Sequence, residues 1–153
     1  MTITHSLKNK GKKTIETEVY DHNFLVIDKQ PTGTGYVVKF PVDVTGSGKG
    51  FGDIVQIQGK QMTFLRDLAS SESIYCNGLQ GFSKNPKDYD LKVENIKSGA
   101  GVRITCNQPL LKLVFWCSST TVCPEPYIQI KVKSGQEFSW KISYNYYTFD
   151  IQK

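Results

Sequence analysis

From Phe138 to Tyr146 every even position is apolar or aromatic and every odd position is polar. That two-residue period is the mark of a strand buried on one face. Just upstream, Ile128, Ile130 and Val132 alternate with Gln129, Lys131 and Lys133. Ser134-Gly135-Gln136-Glu137 supplies turn chemistry between the two runs, which predicts an antiparallel hairpin. Ile3/His5/Leu7, Ile15/Thr17/Val19, Tyr36/Val38/Phe40, Leu91/Val93 and Val102/Ile104/Cys106 follow the same rule. Leu110 to Trp116 is almost continuously apolar and predicts a central strand covered on both sides. No window carries a helical period, and only Phe64-Leu65-Arg66-Asp67-Leu68 hints at one turn of helix. Roughly nine or ten strands at regular spacing predict an all-β, antiparallel sandwich rather than an α/β fold.

The length of 153 residues and a 39% hydrophobic fraction fit a single β-sandwich domain over residues 1–153. Thr45-Gly46-Ser47-Gly48-Lys49-Gly50-Phe51-Gly52 lacks the spacing of a phosphate loop and no helical pattern follows it, so it reads as a flexible inter-strand loop. Pro31 to Gly35 and Asn85 to Asp88 read as turns. The formal charge is +5, but the lysines are scattered over polar strand positions, so no nucleic-acid partner is expected.

Cys76, Cys106, Cys117 and Cys123 form no C-x-x-C pair, and with two histidines in the chain no zinc spacing emerges. The last three sit among apolar strand residues and read as small hydrophobes, with a Cys117–Cys123 disulfide left open. Met1 to Ser6 lacks the regions of a signal peptide, no apolar run is long enough to span a bilayer, and no N-x-S/T sequon is present. These features predict a soluble, cytoplasmic protein with no membrane partner.

Candidate chemistry concentrates in two places. In Val122-Cys123-Pro124-Glu125-Pro126-Tyr127 one carboxylate stands between two prolines in apolar surroundings, a setting that fixes and desolvates a general base. Tyr20-Asp21-His22-Asn23-Phe24 holds the other conspicuous titratable group, His22, against aromatics. Glu125 could equally sit exposed at a strand edge, and His22 could be a core-edge histidine satisfied by a carbonyl. Trp116, Tyr127 and Phe24 suit either the core or the apolar face of a sugar. Tyr20, Asn23 and Gln80 offer the donors and acceptors a hydroxyl-rich ligand needs. His5, alternating with Ile3 and Leu7, reads as a packing residue.

Taken in order, these motifs resemble those of the aldose 1-epimerase (galactose mutarotase-like) superfamily, in which a His-aromatic motif precedes a late Cys-x-Glu motif. Leu7 to Lys13 resembles the strand and turn before the family's histidine, and Ser98-Gly99 through Asn107-Gln108-Pro109 resembles its "SG…v.T.qP" run. The similarity covers most of the chain but only the C-terminal half of a typical member. It implies the C-terminal part of a supersandwich, no metal or organic cofactor, and an aldose ligand. Glu125 matches the base that takes the anomeric proton, and His22 the group that protonates the ring oxygen, with α and β anomers interconverting. A pyranose held between them would keep the two groups about 5–8 Å apart.

Two departures accompany the resemblance. Gly78-Leu79-Gln80-Gly81-Phe82 stands where the family often has Asp-x-x-Phe, and the family's N-terminal half, with its further sugar-contacting Arg and His, has no counterpart before Met1. A non-catalytic carbohydrate-binding or β-sheet assembly module is therefore the alternative expectation. Uncovered edges such as Ile3 to Leu7 would then favour self-association or a complementary β-rich subunit.

Overall fold

Alternation translates directly into two packed antiparallel sheets in the computed structural model, which describes residues 1–151. The strands are β1 Thr2–Lys8, β2 Ile15–Tyr20, β3 Tyr36–Lys39, β4 Val55–Gln58, β5 Gln61–Phe64 and β6 Ser73–Leu79. They continue with β7 Asp90–Asn95, β8 Ala100–Cys106, β9 Lys112–Ser118, β10 Thr121–Val132 and β11 Glu137–Thr148. One sheet has seven strands in the order β1-β11-β8-β7-β3-β5-β4, and the other has four in the order β2-β10-β9-β6. The count slightly exceeds the sequence expectation because β4 and β5 are four residues each, too short for a clear period. A 3-10 turn over Pro86–Asp88 is capped by Asn85, whose side chain accepts from Lys87 N.

The core lies between the sheets. From the larger sheet come Trp140, Ile142, Val102, Ile104, Leu91, Val93, Val38 and Met62; from the smaller come Ile128, Ile130, Val132, Leu113, Phe115 and Ile74. Burying one such side chain contributes about 1.5–3 kcal/mol, so the paired apolar faces drive the sandwich. His5 stacks on Trp140 with ring centroids 4.7 Å apart, in keeping with a packing role. Leu110 to Trp116 does supply an interior strand, β9, between β10 and β6. Its inner face is Leu113, Phe115 and Cys117, and its outer face is buried Val114 and half-buried Trp116.

Three sequence expectations need correction. β10 and β11 do not form a hairpin, since β10 pairs with β2 and β9 while β11 pairs with β1 and β8. The Ser134 turn instead carries the chain from one sheet to the other, so the apolar faces of both runs meet across the core. Next, Phe64 to Leu68 makes no helical turn: Phe64 ends β5 and Leu68 N donates to Thr32 O at 3.1 Å. Finally, the glycine-rich loop is tied to the sheet edge through bridges Thr45↔Gln80 and Lys49↔Tyr75. Gly48 makes the second approach possible, because a Cβ there would meet Tyr75 O at 2.1 Å.

A corner residue holds the sheet-to-sheet crossings together. The side chain of buried Asn9, between β1 and β2, donates to Lys13 O at 2.8 Å and to Val132 O at 2.9 Å. Its Oδ1 accepts from Gly11 N at 2.9 Å, and its backbone bonds Gln136 O and Gly135 N. Both crossings are thereby locked at one end of the sandwich. β1, the expected edge, does lie at the border of the seven-stranded sheet.

Candidate functional site

Strand alternation places the candidate residues. On β10 the even residues Val122, Ile128 and Ile130 enter the core, so the odd residues Cys123, Glu125 and Tyr127 share the opposite face. Register sets Cys123 opposite Trp116, Glu125 opposite Val114, and Tyr127 between Lys112 and Tyr20. On the far side of β9, Tyr75 lies opposite Trp116. After β2 the chain turns back along β10, and the Leu25↔Val122 bridge brings His22 over Glu125.

The two groups meet directly. His22 Nδ1 lies 2.9 Å from Glu125 Oε1, with the His22 side chain 47% exposed and that of Glu125 9% exposed. This corrects the 5–8 Å separation expected for a pair bracketing a sugar ring. The Leu25↔Val122 bridge lays the two segments side by side, so the two side chains meet directly. Tyr20 Oη is 3.1 Å from His22 Nε2, so Tyr20, His22 and Glu125 form one hydrogen-bonded chain. The Phe24 ring stacks on the imidazole at 5.1 Å with an interplanar angle of 3°.

Cys123 completes the group. Its Sγ donates to Glu125 Oε1 at 3.6 Å and lies 3.8 Å from His22 Nδ1. Burial, reinforced by the neighbouring Glu125 charge, pushes the Cys123 thiol up to about 12. The disulfide left open by the sequence is not formed, and all four cysteines are free. Cys117 sits opposite Val122 on the core face, while Cys123 sits opposite Trp116 on the outer face, so their side chains leave the sheet on opposite sides. Burial also raises the carboxyl of Asp21, next to His22, with His5 opposing the shift.

Around this cluster lies an aromatic surface. Phe24 is 61% exposed and meets Trp116 edge-on at 6.1 Å. Tyr20 and Tyr127 stack at 4.2 Å, and Lys112 Nζ stands 4.2 Å above the Tyr127 ring while pairing with Glu18 at 2.9 Å. Burial, then Tyr20, pushes the Tyr127 phenol up to about 12.

Of the residues singled out by sequence, the structure brings together His22, Glu125, Phe24, Trp116 and Tyr127. Asn23 is adjacent but buried and internally committed: its Nδ2 donates to Pro124 O at 2.9 Å, and its Oδ1 accepts from Tyr144 Oη at 2.8 Å. It positions the His22 segment on β10 from across the sandwich. Gln80 stands apart, bonded through its backbone to Thr45 and through Nε2 to Gly78 O at 3.3 Å. Sequence reasoning took Cys123 for a packing residue and passed over Tyr75, whereas Tyr20, expected as a polar group for a hydroxyl-rich ligand, does lie against His22. The two-residue period through Cys123, Glu125 and Tyr127 was the available signal for the first, since it puts the thiol on the carboxylate's face. Among the described residues no helix is long and apolar enough to cross a membrane.

Sequence comparison with family models and with curated proteins gives no match. Comparison of the fold does. An aldose 1-epimerase candidate from Klebsiella pneumoniae superposes with a TM-score of 0.70 at 10% identity, over 95% of this chain and 42% of that one. A protein from Synechocystis sp. PCC 6803 gives 0.63 at 13% identity, over 97% and 50%. A galactose mutarotase-like protein from Clostridium acetobutylicum gives 0.60 at 12% identity, over 97% and 52%. The chain thus has the β-sandwich fold of galactose mutarotase-like structures and spans about half the length of those it matches.

Proposed function

We propose that the outer face of the four-stranded sheet binds an aldose and that His22 and Glu125 interconvert its α and β anomers. The observation that carries this reading is the direct His22–Glu125 contact set among exposed aromatic rings. A carboxylate and an imidazole in contact differ in proton affinity and can pass a proton in either direction. The rings of Phe24 and Trp116 offer faces on which the C–H side of a pyranose stacks.

In the forward step Glu125 takes the proton from O1 and the protonated His22 gives one to O5. The C1–O5 bond breaks, O1 becomes the carbonyl oxygen, the C1–C2 bond rotates, and closure reverses both transfers. The 2.9 Å contact leaves no room for a ring between the partners, so sugar entry replaces their mutual hydrogen bond with one bond from each to the sugar. Half-exposed His22 moves, whereas Glu125 is fixed by Pro124 and Pro126. Anomer exchange of glucose and galactose, followed by two-dimensional NMR exchange spectroscopy, tests this. A rate above buffer that disappears in Glu125→Gln supports the reading, and a parent rate equal to buffer refutes catalysis.

A second reading, a non-catalytic carbohydrate-binding module, is favoured by the closed state of the pair, which leaves the aromatic surface intact without needing chemistry. Saturation-transfer contacts from sugar protons to Phe24 and Trp116, with no exchange rate, would select it.

A further inference from the structure

Three different donor atoms converge at this site in a way that acid/base chemistry does not require. His22 Nδ1, Cys123 Sγ and one Glu125 oxygen all lie within 4.8 Å of one another. Their separations are 2.9 Å for N–O, 3.6 Å for S–O and 3.8 Å for S–N. Tetrahedral zinc with ordinary bond lengths would set them at about 3.3, 3.5 and 3.6 Å, respectively. Each pair therefore stands within about 0.5 Å of one face of a zinc tetrahedron.

We propose that His22, Cys123 and Glu125 form a zinc-binding site whose fourth position opens toward the exposed aromatic surface. The donor set is one that zinc favours: a thiolate, an imidazole and a carboxylate. Its charge is −2 once the thiol has lost its proton to solvent, so the divalent ion neutralises a largely buried cluster rather than adding charge to it. The metal's own field makes that proton loss favourable even for a thiol that burial keeps protonated in its absence.

A second observation points the same way. His22 Nε2 already has its outer partner, Tyr20 Oη at 3.1 Å, and Phe24 stacks flat on the ring. When Nε2 carries the proton toward Tyr20, the Nδ1 lone pair points at the cluster, the arrangement that orients a metal-bound histidine. The spacing of the ligands hid the site from sequence reasoning. His22 and Cys123 are 101 residues apart and meet only through the Leu25↔Val122 bridge.

The proposal uses two of the residues assigned to acid/base chemistry but does not rest on sugar turnover, and zinc held there would block that turnover by occupying both groups. Cobalt(II) chloride titrated into the intact 153-residue chain, under reducing conditions, tests it without reference to activity. The expected result is one cobalt per chain, with visible bands of tetrahedral intensity and a near-ultraviolet sulfur-to-cobalt charge-transfer band. Zinc chloride should displace the cobalt stoichiometrically. Cys123→Ser should abolish the charge-transfer band, whereas Cys106→Ser should leave it unchanged. His22→Ala, at a half-exposed position that leaves the core intact, should weaken binding at least tenfold, and Tyr20→Phe about tenfold. Absence of the band in the parent chain, or its persistence in Cys123→Ser, overturns the proposal, as does unaltered affinity in a folded His22→Ala.

Discussion

His22 Nδ1 and Glu125 Oε1 are in direct contact at 2.9 Å, with the carboxylate buried and the imidazole half exposed. A buried acceptor thus depends on an accessible donor for its hydrogen bond, and anything that draws His22 away must supply a replacement. Glu125→Gln keeps the shape of the side chain but cannot take up a proton. The expected outcome is a fall in anomer exchange of about 10²–10⁴-fold, with sugar affinity little changed. Exchange spectroscopy and saturation-transfer NMR on the same samples separate the two quantities. Equal exchange in parent and variant would remove Glu125 from the chemistry.

Asn23 connects that pair to the far sheet through Pro124 O and Tyr144 Oη. Asn23→Ala deletes both bonds in a buried position and leaves a carbonyl and a phenol unpaired, costing about 1–3 kcal/mol. For a chain of this size that is a melting temperature lower by several degrees, at about 2–4 °C per kcal/mol. His22 also loses its anchor on β10, so its imidazole NMR signals should broaden or shift. A melting temperature unchanged within error would mean that Asn23 is dispensable for positioning.

How far the sequence revealed this arrangement depends on the range of the interactions involved. Period-two patterns such as Phe138 to Tyr144 report a local property, which face of a strand is buried, and the core residues Trp140, Ile142 and Tyr144 follow from it. Pairing partners are a long-range property. The turn residues at Ser134 to Gln136 suit a hairpin or a crossing between sheets equally well, and the choice is made by β1 and β2 competing for the flanks of β11 and β10. The same holds at the site. Glu125 and His22 stood out by their local surroundings, whereas their contact, the third donor Cys123 and the outer partner Tyr20 arise only when the segment after β2 lies along β10. Gln80 shows the converse, a plausible polar residue that folding carries to another edge.

Asn9 is expected to matter more for stability than any surface ion pair. Its amide satisfies two carbonyls, Lys13 O and Val132 O, at the point where both sheet crossings meet. Asn9→Ala should cost about 2–4 kcal/mol through unpaired buried groups, and Asn9→Asp nearly as much because a carboxylate cannot donate. Urea unfolding monitored by tryptophan fluorescence measures this. A loss below about 0.5 kcal/mol would show that water replaces the amide at no cost.

Gly48→Ala tests how tightly the glycine-rich loop is bound to β6. The backbone there has φ +155° and the new methyl would sit 2.1 Å from Tyr75 O, so the Lys49↔Tyr75 bridge must open. The amide of Tyr75 should then lose hydrogen-exchange protection while that of Asn9, at the far corner, keeps its own. Retained protection at Tyr75 N, which donates to Lys49 O at 3.1 Å in the parent, would mean that the loop accommodates the methyl without detaching.

Glu72 sets the last expectation, a pH dependence of known sign. It accepts from Arg66 Nη1 at 2.7 Å, from Arg66 Nη2 at 2.9 Å and from Ala69 N at 2.8 Å. The Arg66 hydrogen bonds, followed by that of Ala69, hold its carboxyl down to about 2. A carboxyl depressed in the folded chain contributes stability that is fully present above its unfolded value of about 4.3 and is lost as pH falls through about 2. Glu72→Gln should therefore lower the melting temperature at pH 6–7, with the gap to the parent closing between about pH 4 and pH 2. The pair lies at the surface, so the gap should also narrow in 1 M salt, where screening acts over about 3 Å. Melting curves at matched pH and ionic strength provide the check: a gap that stays constant down to pH 2 would assign the loss to packing of the side chain rather than to its charge.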